Sequence, residues 1–167
     1  MPEFVFNRTK RHVDRLKALQ KKGYSNLTAS EREEYHGYAS LGAYNHTDVN
    51  RVVAATREVG ALYGLSIPDR PTVGYTTIPI RKRATEPGCF SMGYYLDDVK
   101  SVRDAALARN STLKFPTLPE NMDGLTWDVA NNIEETLYIA YINVSDVVNR
   151  TATLGAGTLG AMVLGQT

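Results

Sequence analysis

The sequence predicts a mainly α-helical protein: a small domain of about five helices with a proline-rich central loop and an extended, glycine-rich C-terminal tail. Three observations predict it. Apolar residues recur at spacings of three and four in several separate stretches. Ser, Thr, Asn or Asp stands where those stretches begin, as helix caps do. Pro68, Pro71, Pro79 and Pro87 fall together in the one interval where the helical spacing is lost. A chain of 167 residues is long enough for one domain with a substantial core, burying about 70% of its unfolded surface. The boundaries are 1–150 for the helical domain and 151–167 for the tail.

The first helix is predicted from Thr9 to Lys22, with Val13, Leu16 and Leu19 as its buried stripe and Gly23 as its stop. The second opens at Thr28-Ala29-Ser30-Glu31, a capping box in which Thr28 and Glu31 satisfy each other's end groups. Tyr35, Tyr38 and Leu41 supply its apolar face. The third starts at Thr47, with Asp48 placed against the positive end of the helix dipole. Its stripe is Val49, Val52, Val53, Thr56, Val59 and Tyr63. Residues 64–89 form the central loop, in which Val73, Tyr75, Thr76, Thr77 and Ile78 could make a short strand at most. The fourth helix, Ser91 to Arg109, carries Met92, Tyr95, Leu96, Val99, Val102 and Ala106 on one face. Phe115-Pro116-Thr117-Leu118-Pro119 is extended, because the residue before a proline is pushed out of the helical region. The fifth helix runs from Thr126 to about Val148, a length of about 33 Å, with Leu125 as a hydrophobic staple onto Ala130. Ile133, Leu137, Tyr141, Val144 and Val148 form its stripe. Val129, Ile139 and Ile142 lie off it, so this helix is expected to be covered on more than one side.

The tail repeats Thr-Leu-Gly-Ala at Thr153 and Thr158 and carries no charge after Arg150. It is either a flexible terminus or an extended segment that adds to a neighbouring subunit's sheet edge or groove. In the second case the expected inter-subunit contacts are Tyr75, Ile78, Arg81 and Arg83 of the loop, with Leu154, Leu159, Met162, Val163 and Leu164 of the tail.

The residues offer little catalytic chemistry. Nineteen basic residues balance 18 acidic ones, so no global field favours nucleic acid or an anionic membrane. Cys89 is the only cysteine, which excludes an intramolecular disulfide. No signal peptide or spanning segment is expected. His12, His36 and His46 lack metal-ligand spacing and read as surface or capping residues. The acidic pairs Glu33-Glu34, Asp97-Asp98 and Glu134-Glu135 read as solvated helix faces, since adjacent helical residues diverge by about 100°. Arg8-Lys10-Arg11 and Arg81-Lys82-Arg83 read as small local basic clusters. No nucleophile elbow or phosphate loop is present. The expectation is a protein without enzymatic activity, cofactor or metal. Ten tyrosines suit either the wet ends of a thin core or a contact surface.

Two sets of residues carry a family likeness. The first is Asn7-Arg8-Thr9, Val13-Asp14, Leu27-Thr28, Glu31 and Gly42-Ala43-Tyr44-Asn45, followed by Asp48-Val49-Asn50-Arg51-Val52. The second is Tyr95-Leu96-Asp97-Asp98-Val99, Leu118-Pro119, Leu125-Thr126 and Asn131-Asn132-Ile133-Glu134. Together they resemble a small helical module of tail and baseplate-region structural proteins from phages of Gram-positive bacteria. This chain has Asp98 where the family has Asn, and a charge-free Leu-Gly-Ala tail where the family often closes with an aromatic, glycine-rich strand. The resemblance implies a virion structural protein of the tail, baseplate or fibre region, assembled in the host cytoplasm. It would work by docking on copies of itself and on other virion proteins, with no nucleic-acid or membrane partner. The alternative is a receptor-recognition module that binds host-surface carbohydrate through a tyrosine-lined face.

Overall fold

The computed structural model describes residues 1–36, 41–74, 91–123 and 125–161, with side chains described through Ser145. Five α-helices follow one another, with no β-strand among the described residues: α1 (Lys10–Lys22), α2 (Ala29–His36), α3 (His46–Leu62), α4 (Met92–Arg109) and α5 (Trp127–Ala161). A single 3-10 turn, Tyr24–Asn26, links α1 to α2. The mainly helical fold expected from the sequence is the observed one.

The start and stop signals explain most boundaries. Gly23, with φ of 79° and ψ of 138°, takes a positive-φ conformation that residues with a Cβ disfavour, and ends α1. The capping box at α2 forms as expected: the Glu31 backbone N–H donates to Thr28 Oγ1 at 3.2 Å, and the Thr28 N–H donates to Glu31 Oε2 at 2.9 Å. The cap of α3 is Asn45, two residues ahead of the expected Thr47. Its Oδ1 accepts from the backbone of Thr47 at 2.8 Å, and Asp48 returns the bond by accepting from the Asn45 N–H at 3.1 Å. Asn leads Thr as a cap, and Thr47 itself donates its hydroxyl to Asn45.

α3, α4 and α5 pack on one another to form the body of the molecule. Val49, Val52, Val59, Tyr95, Leu96, Val99, Val102, Ile133 and Leu137 are buried among them, each apolar side chain contributing about 1.5–3 kcal/mol. The stripes read for α3 and α4, and for α5 through Val144, therefore supply the core, with Val53, Tyr63 and Tyr141 packed against it; the Val148 side chain lies outside the described residues. The C-terminal ends of α3 and α4 meet α5 at one level. The Tyr63 hydroxyl donates to the Ala140 carbonyl at 2.7 Å, while the Asn143 amide donates to Tyr63 Oη at 3.1 Å and accepts from Asn110 at 3.2 Å. Val73, in the extended segment after α3, is buried and held by Asn50. That side chain donates to the Val73 carbonyl at 2.8 Å and accepts from its N–H at 2.9 Å, as a strand partner would.

Two expectations need correction. α2 spans Ala29–His36 and buries none of these residues, so of its expected apolar face Tyr35 is only partly covered and Leu41 lies in a turn outside the helix. Tyr38 lies outside the described residues. α5 continues past Val148 to Ala161, giving 35 residues and a length of about 52 Å. It takes in residues 151–161, which the sequence reading assigns to an extended tail. No proline follows Pro119 to stop the helix. Residues 162–167 lie outside the described residues.

Candidate functional site

Three elements converge beside the start of α1, and their charged residues form a buried network. Arg8 precedes α1, Asp48 and Arg51 occupy the first turns of α3, and Glu134 stands in the third turn of α5. Arg8 Nη1 reaches Glu134 Oε1 at 2.9 Å, and its Nη2 reaches Asp48 Oδ1 at 2.9 Å. Arg51 pairs with the same Asp48 oxygen at 2.8 Å and with both oxygens of Glu134. Arg8 is 3% exposed and Glu134 is fully buried. Two cations thus face two anions in a site of no net charge, the arrangement that makes burial of ions tolerable.

The backbone is drawn into the same site. Glu134 Oε2 accepts from the Val5 N–H at 2.6 Å. Asn131, one turn before Glu134, accepts from the Arg8 N–H at 3.1 Å and donates to the Arg8 carbonyl at 2.9 Å. Burial alone would lower the Arg51 pKa, but its bonds to Glu134 and then Asp48 raise it above the ordinary arginine value. The Arg8 guanidinium lies over the Tyr44 ring, and the Tyr44 hydroxyl is 2.6 Å from that of Tyr95. Burial, joined by the nearby Glu134 charge, pushes the Tyr44 phenol well above its usual value. The Tyr95 phenol is raised as well, first by burial and then by Tyr44. Gly42 completes the corner, for a Cβ there would overlap the backbone carbonyl of His12. Only glycine lets the 41–44 segment lie this close to α1.

This network corrects two sequence readings. Glu134 is not on a solvated face with Glu135, and Arg8 is not part of an open basic cluster. The signal that finds Glu134 is its place between Ile133 and Leu137 on a helix expected to be covered on several sides. Asp98 is a third case: it is 9% exposed and takes a two-pronged ion pair from Arg70, with both bonds at 2.8 Å. Glu34 does sit in water as expected, paired with Arg15.

A cleft of about 470 Å³ opens on the other side of Arg8. Val13, Leu41, Ala43, Tyr44, Leu125, Trp127 and Ala130 give its walls apolar surface; Lys10, Asp14, Lys17, Thr126 and Asp128 add polar and charged groups. A smaller cavity of about 290 Å³, between Glu3, Thr47 and Arg51, shares Arg8, Leu41 and Ala43 with it.

Other expected site residues fall apart or out of view. Tyr75, Ile78, Arg81, Arg83, Met162, Val163 and Leu164 lie outside the described residues. Leu154 and Leu159 belong to the backbone of α5. The histidines do take capping and surface roles: His12 Nδ1 accepts from the Thr9 N–H at 3.2 Å, His36 bonds the Tyr24 hydroxyl at 2.8 Å, and His46 opens α3. The tyrosines are divided, with Tyr95 buried, Tyr44, Tyr63 and Tyr141 packed against the core, and Tyr24 and Tyr138 exposed. Among the described residues no three His, Cys, Asp or Glu side chains gather as a metal site needs, and no helix is long and apolar enough to cross a membrane. Comparison with protein-family models, curated proteins and solved structures finds no match to this chain.

Proposed function

We propose that this protein is a phage virion structural component of the tail, baseplate or fibre region, and that it works by assembly with copies of itself and neighbouring virion proteins. One observation carries the reading. The residues of the family likeness are used to join elements: Arg8, Asp48, Arg51, Asn131 and Glu134 form the buried network, Gly42 and Tyr44 seat it, and Asn45 caps α3. A signature made of such residues specifies a shape, and a shape is what an assembly component must reproduce in every copy. The proposed contact regions are the proline-rich interval 64–89 and residues 152–167.

Immunogold labelling of purified particles tests this directly. Discrete label on the tail, collar or fibre is the expected result. Label-free particles beside abundant protein in the infected lysate would end the virion reading. Within it, removing residues 152–167 is expected to leave a folded domain that no longer assembles.

A further inference from the structure

We propose that the cleft between α1, residues 41–44 and the start of α5 binds a neutral saccharide ring. Its volume of about 470 Å³ lies within the ordinary range for small-ligand sites. Trp127, the only tryptophan of the chain, is the first residue of α5 and lines the cleft while 36% exposed. An indole in that position offers a flat, electron-rich face that suits the C–H side of a pyranose. Lys10, Asp14, Lys17, Thr126 and Asp128 bring donors and acceptors to the same cleft, the mixture that sugar hydroxyls answer because each is both.

Apart from Lys17, the cations of the cleft are matched by carboxylates, which argues for a neutral ligand over an anion. Lys10 is paired with Asp14 at 2.6 Å, and the charge of Arg8 is matched by Asp48 and Glu134. The start of α5, where an anion would otherwise settle, is occupied by the Asp128 carboxylate. The Thr126 hydroxyl and the helix N–H groups of Asp128 and Val129 hold its carboxyl below the usual range.

This inference is independent of the virion reading, because the isolated protein suffices to test it. Fluorescence of Trp127 is followed while glucose, galactose and N-acetylglucosamine are titrated in turn, with glucuronate and an acidic peptide as charged probes. A saturable spectral shift with a neutral sugar is expected. By calorimetry, W127A should bind that sugar at least about tenfold more weakly, equivalent to about 1.4 kcal/mol, with its helical circular dichroism unchanged. D14N, on the exposed side of α1, gives a second reading through weakened binding if W127A fails to fold. Three results would overturn the proposal: no saturable shift with any neutral sugar, tighter binding of glucuronate or the peptide, or undiminished binding by the folded variants.

Discussion

Two charge clusters of similar composition lie on either side of the first helix, and they do opposite things. Arg15, Lys22, Glu31 and Glu34 join α1 to α2 at the surface, with pairs at 2.6–3.8 Å. Arg8, Asp48, Arg51 and Glu134 join the N-terminal segment, α3 and α5 in the interior. In the first cluster water screens each charge and takes over when a partner is lost. In the second, Arg8 and Glu134 are sealed from water and Asp48 and Arg51 are only partly exposed, so each charge depends far more on its partners. The difference teaches that ion pairs specify structure here only where the fold has excluded solvent. The α1–α2 pair, whose second helix buries nothing, leans on the body of the molecule through Arg8 and Gly42.

The sharpest way to break that comparison is E134A. It leaves two guanidinium groups beside a single carboxylate, and a loss of about 3–5 kcal/mol is expected by denaturant unfolding. The surface counterpart, E34A, should cost far less, and less still at high salt. Equal losses would mean that burial is not what separates the clusters. G42A comes next, at about 1–3 kcal/mol, because its methyl group must displace the α1 backbone at His12. N45A removes the α3 cap at about 1 kcal/mol. The smallest effect is a pH dependence. The bonds from Lys22 and then from the Thr28 backbone hold Glu31 at about 2, down from the ordinary 4.5. A lowered carboxyl pKa stabilises the fold above the unfolded value and loses that contribution as pH falls through the folded one. Acid unfolding of E31Q should therefore lack a component between pH 4.5 and about 2. An unchanged acid limb would show that the Lys22 pair does not persist in solution.

The helices and their apolar stripes were legible because periodicity and caps are local properties. Val49, Val52 and Val59, and equally Tyr95, Val99 and Val102, announce their burial through spacing alone. The network was not legible in the same way. Spacing shows that Glu134 lies near the buried arc of α5, but not that Arg8, some 126 positions earlier, returns to meet it. A charged residue reads as exposed until its partner is located, and partners so far apart in sequence are joined only by the fold. The quoted likeness held the right residues without their reason: Arg8, Gly42, Asn45, Asp48, Arg51, Asn131 and Glu134 were named as a pattern, and the structure makes them neighbours. The cleft at Trp127 went unread for a related cause, since its walls come from three separate segments.

The shared carboxylates of the network constrain how such a sequence can diverge. Glu134 serves Arg8 and Arg51 together, and Asp48 serves the same two arginines. A drift at position 134 to a neutral residue strands two cations at once, so it becomes tolerable only with changes at 8 and 51 in the same lineage. Descendants of this chain should therefore keep these four positions as one block or replace them as one block, while positions 15, 22, 31 and 34 vary singly.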